Sequence, residues 1–297
     1  MKELGLVRPS WTLSPLAGDW SQVPNKEWEA RCMEVYAAMV DRMDQGIGRL
    51  VEALKVSGQW DNTLLLFLQD NGGCAETTGR SPDKERPAKP TLPTIAPEAL
   101  RQDVIPKQTR EGWPVLSGRL AMPGPPDTFM AYGQAWANVS NTPFREYKHW
   151  EHEGGISTPL IAHWPRGISR KGDLEPQPGH LIDLMATAVE VSGATYPEKG
   201  IPPMEGVSLR PAFEGKPLGR SVPIFFEHEG NRAVREGQWK LVSKHPGRWE
   251  LYDMEADRTE LNDLTAQEPD RARSLEAQWN AWAKRVGVEP WPVRKPK

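Results

Sequence analysis

The stretch of residues 63–73, TLLLFLQDNGG, decides the fold of this chain. Its first six residues form an apolar run without alternation, which is typical of a strand that is covered on both faces. The run ends in the polar and flexible segment Asp70-Asn71-Gly72-Gly73. Open α/β sheets place their ligands at the carboxyl ends of strands. The sequence therefore predicts a buried strand followed directly by a candidate site.

A long amphipathic helix is predicted before this strand. Between Trp28 and Val56, apolar residues recur at steps of three and four, the period of a helix with one buried face. They are Val35, Met39, Met43, Ile47, Leu50, Val51 and Leu54. Gly58 closes the helix, because glycine readily adopts the left-handed conformation of a C-cap. Helix, turn and buried strand together predict an α/β unit.

The rest of the chain divides into a long loop and a smaller C-terminal part. Residues 76–141 are rich in Pro, Gly, Arg and Thr, which predicts either a functional loop or a disordered insert. Further segments predict a strand at 158–165, a helix at 180–192 and a last helix at 269–286. Between these helices, four short strands are predicted at 222–226, 232–235, 239–242 and 249–252. We expect a first domain of residues 1–200 and a small α+β subdomain of residues 201–297.

Composition and charge exclude several classes of function. The chain has 38% hydrophobic and 26% charged residues, as in ordinary globular proteins. Its formal net charge of -3 comes from interspersed charges, without the basic run that nucleic acid binding requires. No apolar stretch approaches the roughly 20 residues that cross a bilayer, and the first residues do not resemble a signal peptide. Cys32 and Cys74 are expected to be free thiols, since a large domain does not need a disulfide.

Three side chains are candidates for binding an anion with a metal. Asp70 and Asn71 offer a carboxylate and an amide oxygen side by side, which suit calcium or magnesium rather than zinc. The same residues also form a common turn, so the pair alone leaves both interpretations open. Lys148 precedes a glycine pair, where its ammonium group can meet an oxyanion as a point charge. A solvated surface lysine is the alternative.

Other polar residues are less specific. His149 and His152 are close in sequence, but this spacing in a segment of unknown conformation fixes no metal geometry, so surface or packing roles are favoured. We expect His152 to orient the loop that carries Lys148. Asp41 and Asp44 form an acidic pair on the predicted helix, for which a solvated helix face is the simpler interpretation.

The order of these segments resembles the sulfatase family of the alkaline-phosphatase-like superfamily. A helix that carries Gly46-Ile47-Gly48 is followed by the strand that ends in Asp70-Asn71-Gly72. Lys148 then stands five residues before Glu153-Gly154-Gly155, and a strand ending in Trp164-Pro165 follows. The resemblance runs from about residue 30 to 285, and it includes C-terminal segments at 183–193, 205–209 and 235–253.

The resemblance implies a mixed α/β sheet between helices, incomplete in its N-terminal part, with a small antiparallel C-terminal sheet and a terminal helix. It also implies calcium-dependent hydrolysis of sulfate esters, with Asp70 and Asn71 as calcium ligands and Lys148 as the sulfate-binding and catalytic lysine. The nucleophile of the family is a formylglycine made from the first residue of a Cys/Ser-x-Pro-x-Arg motif. That motif is absent from these 297 residues.

We therefore expect an arylsulfatase-like sulfuric ester hydrolase that is truncated at its N-terminus and inactive alone. A catalytically inactive binding or regulatory remnant, or a phosphatase or phosphodiesterase of the same superfamily, is the alternative. The expected partners are a sulfate ester and the missing N-terminal half as a separate chain. Family members are often exported, which implies a periplasmic or secreted location. Trp113 and Trp136 are candidate contacts for the organic part of a polysaccharide or aryl substrate.

Overall fold

The structure is a computed structural model, and it describes residues 1–197 and 199–293. It is a mixed α/β fold with a two-stranded sheet, a separate four-stranded sheet and helices around them. In chain order the elements are α1 Lys26–Val56, β1 Leu65–Leu68, α2 Gln134–Ser140, α3 Glu153–Ile156, β2 Leu160–His163, α4 Ile182–Ser192, α5 Arg210–Phe213, β3 Ile224–His228, β4 Asn231–Glu236, β5 Trp239–Ser243, β6 Glu250–Asp253 and α6 Pro269–Val286. The end of the predicted C-terminal subdomain, from position 294 onward, lies outside the described residues. Within the described ranges, no helix is long and apolar enough to span a membrane.

Helix α1 has the predicted bounds but not the predicted burial. The side chain of Asn25 caps its start by accepting a hydrogen bond from the backbone N–H of Trp28, and Gly58 ends it at a φ of +69°. Its buried residues are Trp28 and Cys32, both in the first turns. The predicted buried apolar face is only partly present, because four of its residues are half-buried and three are exposed: Val35, Ile47, Val51 and Leu54, and Met39, Met43 and Leu50. Exposed apolar residues also recur at helical spacing, and we call this set the α1 stripe: Tyr36, Met39, Val40, Met43 and Leu50.

The predicted strand before the candidate site is present as β1. It pairs antiparallel with β2, in a register that runs from Leu65 opposite His163 to Leu68 opposite Leu160. The prediction that it is covered on both faces is only partly met, because all four residues of β1 are half-buried. On β2, Ile161 is 58% exposed. Among the described residues, β1 and β2 therefore form a sheet of only two strands.

The C-terminal part forms the small antiparallel sheet and terminal helix that the sequence predicts. Strands β3 to β6 follow one another as a meander, and each pairs with the next. Helix α6 lies against this sheet, because its buried apolar residues meet those of β4, β5 and β6 in one core. The core consists of Val234, Leu241, Trp249, Leu251, Ala272, Leu275, Trp279 and Ala283. The four predicted strands and both ends of the last helix are confirmed.

The long loop at 76–141 is attached to the first turns of α1. Arg80 donates hydrogen bonds to the carbonyls of Ala131 and Tyr132, at 3.2 and 3.1 Å, and forms an ion pair of 2.5 Å with Glu29. Its guanidinium also lies 4.8 Å from the ring centroid of Trp28. These contacts fix the loop at both its start and its end. The loop is therefore an ordered part of the fold and not a disordered insert.

Candidate active site

Two backbone segments that are distant in sequence meet at the end of β1. One is the turn at 70–73, and the other is the loop at 145–155 that leads into α3. The backbone N–H of Gly72 donates to the carbonyl of Gly155 at 2.8 Å, and the N–H of Lys148 donates to the carbonyl of Gly73 at 3.0 Å. We call this pair of contacts the turn–loop junction. It brings the three predicted site residues, Asp70, Asn71 and Lys148, to one place.

Each segment contains a glycine that has no room for a side chain. A Cβ atom on Gly72 would lie 1.8 Å from the carbonyl oxygen of Gly154, and one on Gly155 would lie 1.9 Å from that of Trp150. Neither distance is possible for real atoms, and the neighbours are backbone that cannot rotate away. Gly72 thus lets the turn pack directly against the facing loop, whereas Gly155 lets that loop fold tightly onto its own carbonyl at Trp150.

A side-chain amide that the sequence analysis missed completes the junction. Asn141, just after α2, accepts a hydrogen bond from the N–H of Gly73 at 2.8 Å and donates to the carbonyl of Glu146 at 3.0 Å. It therefore holds the turn and the loop together from the side of the long loop. An asparagine within the motif Ser-Asn-Thr-Pro gives no sequence signal that separates this role from an ordinary turn.

The two predicted metal ligands present free oxygen atoms. Asp70 is exposed and Asn71 is half-buried. The Asn71 amide nitrogen donates to the carbonyl of Gly72 at 3.2 Å, so its side-chain oxygen points away from that contact. Within the described part of the chain, neither side-chain oxygen accepts a hydrogen bond from another residue. Both oxygens are thus available to a ligand.

Lys148 is paired with a residue that the sequence analysis did not single out. Its ammonium nitrogen lies 2.6 Å from a carboxylate oxygen of Glu76. This hydrogen bond raises the pKa of Lys148, with smaller contributions from the negative charges of Glu76 and Asp70, and it lowers the pKa of Glu76. Lys148 is therefore firmly cationic, and it lies within electrostatic reach of Asp70. A lone glutamate at the start of an aperiodic loop gives no sequence signal for this pairing.

A fully buried ion cluster holds the loop against the C-terminal sheet. The ammonium of Lys240 on β5 lies 3.0 Å from a carboxylate oxygen of Glu153 and 2.8 Å from one of Glu260. Glu260 also accepts a hydrogen bond from the backbone N–H of Glu153 at 2.8 Å, and Arg258 donates to the Glu153 carboxylate at 2.8 Å. The Glu153 side chain at the start of the Glu-Gly-Gly turn is thereby fixed from three sides. We call these residues the buried ion cluster.

His152 connects the same loop to β6. It is fully buried, and its Nε2 atom lies 3.3 Å from the Glu250 carboxylate and 3.4 Å from the Arg145 guanidinium. The hydrogen bond with His152 lowers the pKa of Glu250 to about 2, against the opposing effect of burial. His152 therefore occupies the loop-orienting place that the sequence predicts. His149 lies elsewhere, beside His228 and Glu229, so the two histidines do not form a pair.

Other sequence candidates lie outside the site. Asp41 and Asp44 are exposed on α1, as the solvated-face interpretation predicts. The indole of Trp136 donates to the carbonyl of Glu29 at 2.9 Å, so it packs the long loop onto α1. Both cysteines are free, as predicted. The backbone N–H of Trp113 donates to the Thr109 hydroxyl at 3.3 Å, and the role of either tryptophan as a substrate contact stays a prediction.

Comparison with known families shows which family this chain belongs to. The family model described as Sulfatase matches residues 17–194, which is more than half of the chain. The chain belongs to the sulfatase family. A second model, described as N-sulphoglucosamine sulphohydrolase, C-terminal, matches residues 145–281. The first match contains both sides of the turn–loop junction, and the second contains the C-terminal sheet.

Individual relatives agree with this assignment. An arylsulfatase of Klebsiella aerogenes is 33% identical over 224 residues, which cover 70% of this chain and 41% of that protein. An uncharacterized sulfatase of Schizosaccharomyces pombe is 28% identical over 254 residues, which cover 81% of this chain and 42% of that protein. The chain thus spans less than half the length of these relatives.

Solved structures support the same fold. The crystal structure of Ps i-CgsB superposes with a TM-score of 0.58 at 24% identity, covering 93% of this chain and 48% of that one. The structure of BT4656 in complex with D-glucosamine-2-N,6-O-disulfate has a TM-score of 0.50 at 18% identity, covering 87% of this chain. The fold is alkaline-phosphatase-like α/β with a small antiparallel C-terminal sheet and a terminal helix.

Proposed function

We propose that this chain supplies the second metal-ligand pair and the sulfate-binding lysine of a calcium-dependent, arylsulfatase-like enzyme. The turn–loop junction carries this proposal, because its two backbone hydrogen bonds hold Asp70 and Asn71 on one segment beside Lys148 on the other. Two oxygen donors next to a fixed cation suit a doubly charged metal and an anionic ester bound between them.

The donor atoms fit calcium by their chemistry. The Asp70 carboxylate and the Asn71 amide oxygen are hard ligands, and neither is used by another residue within the described ranges. Calcium takes about six to eight oxygen ligands, so the proposal requires further donors from the substrate, water and residues outside this pair. When bound, the cation would neutralise charge on a sulfate oxygen and on the attacking group.

Lys148 is proposed to hold a second sulfate oxygen or to stabilise charge on the leaving group. Its side chain is 39% exposed, so an anionic ester can reach the ammonium group. Glu76 occupies that position in the structure as a counter-ion, and it is itself 58% exposed. Because exposed ion pairs contribute little free energy, a sulfate group can replace the Glu76 carboxylate at small cost.

The nucleophile is proposed to lie outside these 297 residues. Cys32 is an unsuitable replacement, because it is buried and burial raises the pKa of its thiol to about 11. Removing a nucleophile costs several orders of magnitude in rate, so we expect this chain alone to be inactive.

A covering partner is proposed for the exposed apolar surface. The α1 stripe and the exposed residues of β2 are apolar, and the chain spans only about two fifths of the length of its curated relatives. We propose that the remaining part of a sulfatase domain packs on this surface, as a preceding segment or as a separate chain. The division into domains of 1–200 and 201–297 stays a proposal, since the buried ion cluster joins residues from both.

The test begins with the transcript upstream of Met1. If it encodes a Cys/Ser-x-Pro-x-Arg motif in frame, the longer polypeptide should hydrolyse 4-nitrophenyl sulfate in the presence of calcium. Lys148→Ala should then lower kcat/KM by about 100-fold or more, whereas the exposed control Lys171→Ala should leave it unchanged.

Other outcomes decide against the proposal. Full activity of Lys148→Ala would show that this lysine does not hold the sulfate group. Faster hydrolysis of 4-nitrophenyl phosphate than of the sulfate would favour a phosphatase. A stop codon upstream without any such motif would instead favour the catalytically inactive binding remnant.

A further inference from the structure

We propose that His149, His228 and Glu229 form a second metal site, which binds a transition metal ion such as Zn²⁺. One donor atom from each residue lies within 4.8 Å of the other two. The Nδ1 atom of His149 is 3.1 Å from a carboxylate oxygen of Glu229, and the rings of the two histidines meet edge to face with centroids 5.2 Å apart. The site joins the loop that carries Lys148 to the hairpin between β3 and β4.

The backbone of both histidines is held by one buried side chain. Asn231 is 2% exposed, and its amide nitrogen donates to the carbonyl of His149 at 3.1 Å and to that of His228 at 3.0 Å. Its amide oxygen accepts from the backbone N–H of His245 at 3.1 Å. A single amide thus fixes the backbones of the two histidines side by side. Metal binding would therefore need little further ordering of the main chain.

Two of the three residues adopt a backbone conformation that is uncommon outside glycine. The φ angle is +98° at His149 and +52° at Glu229. Such angles cost free energy, and they persist mainly where the surrounding structure enforces them for a purpose. At Glu229 the angle belongs to the tight two-residue connection from β3 to β4, and the Glu229 carboxylate meets the histidine of the facing loop.

The donor set distinguishes this site from the oxygen donors at Asp70 and Asn71. Two imidazoles and one carboxylate favour zinc and its neighbours over calcium or magnesium, and three protein ligands leave a fourth position for water. Zinc bonds of about 2.0–2.1 Å place tetrahedral ligands about 3.4 Å apart. The His149–Glu229 donors, at 3.1 Å, are already close to this spacing, and all three donors lie within 4.8 Å of one another, so only small movements are needed. His149 and Glu229 are 37% and 40% exposed, which gives their side chains room for these movements.

A metal ion bound at this site would restrain the loop that carries Lys148. Lys148 immediately precedes His149, and the hairpin at 228–231 belongs to the four-stranded sheet. A metal bound by both segments would tie the Lys148 backbone to the C-terminal sheet at a point distinct from the buried ion cluster. This inference is independent of the proposed sulfatase chemistry, because it concerns binding by a different set of residues.

The experiment titrates the metal-free 297-residue protein with Zn²⁺ and, separately, with Co²⁺. We expect one tightly bound zinc per chain by elemental analysis after dialysis against excess Ca²⁺, and the visible absorption of tetrahedral Co²⁺. His228→Gln and Glu229→Gln should each weaken zinc binding at least tenfold in isothermal titration calorimetry. The control His163→Gln removes a histidine on β2 and should bind zinc as the wild type does.

A second measurement on the wild-type protein does not depend on the folding of variants. Zinc should shift the ring nitrogen resonances of His149 and His228, and of no other histidine, in long-range proton–nitrogen NMR spectra. Unchanged affinity in both variants, an octahedral Co²⁺ spectrum, or shifts confined to other histidines would each overturn the proposal.

Discussion

Replacing Lys240 by methionine should strongly destabilise the protein. The ammonium of Lys240 is fully buried, and it lies within 3.0 Å of two carboxylates that are also buried, those of Glu153 and Glu260. Lys240→Met keeps most of the apolar part of the side chain but leaves these carboxylates without their shared cation. Breaking a buried ion pair from one side costs about 3–5 kcal/mol. That is a large part of the roughly 5–15 kcal/mol that stabilises a typical domain.

The effect should depend on pH in a defined direction. Burial alone would raise the pKa of Glu153, but the charges of Lys240 and Arg258 outweigh it and hold this pKa well below its ordinary value of 4.5. A carboxyl whose pKa is lowered by folding contributes stability above the unfolded pKa and loses it as the pH falls. The difference between wild type and Lys240→Met should therefore be largest near pH 7 and should shrink below about pH 4.5.

Urea denaturation followed by tryptophan fluorescence measures this difference in free energy of unfolding. Lys244→Met is the matched control, because Lys244 pairs with Glu146 at 2.7 Å but is 39% exposed, and it should lose no more than about 1 kcal/mol. Adding Glu260→Gln to Lys240→Met should recover part of the loss, since one uncompensated charge is removed. Equal and small losses for Lys240→Met and Lys244→Met would refute the stabilising role of the buried ion cluster.

Three further predictions concern the site and the surface. Gly72→Ala should lower the free energy of unfolding by at least about 2 kcal/mol, because the added Cβ has no room. The control Gly48→Ala lies in the middle of α1, where a Cβ meets nothing within 4 Å, so it should be neutral or stabilising. Thermal unfolding compares the two variants. Glu250→Gln should lower the free energy of unfolding by about 2 kcal/mol at pH 7, and this loss should fade as the pH falls from about 4.5 to about 2. Urea denaturation at several pH values measures it. The exposed apolar α1 stripe should make this chain self-associate, and Met39→Lys should reduce that association in light scattering, because Met39 is 62% exposed on the stripe. Unchanged association would exclude the stripe as the contact surface.

The sequence predicts the elements of this protein well where local signals mark their ends. Helix α6 begins at Pro269 and is followed by Gly287 at a φ of +77°, so its bounds follow from residues that favour helix starts and stops. The apolar period of α1 likewise gives its length. The period does not predict how far α1 is buried, because it identifies the apolar face but not the element that covers that face. Among the described residues, no helix or strand covers the α1 stripe.

The candidate site is predictable only in part. Asp70, Asn71 and Lys148 were identified from short motifs, and the structure places them together at the turn–loop junction. Glu76 and the buried ion cluster were missed, because their contacts join positions that are distant in sequence and carry no periodic signal. Lys240 in particular has the polar appearance of an outward-facing strand residue, yet it is fully buried.

The turn–loop junction also has a kinetic consequence. Its two hydrogen bonds close chain segments of great length, so the entropy of loop closure must be overcome before either bond can form. Asp70, Asn71 and Lys148 should therefore come together late in folding, after α1 and the C-terminal meander, whose contacts are local. The amide protons of Gly72 and Lys148 would report this event directly, because their exchange with solvent requires the junction to open even when the rest of the protein stays folded.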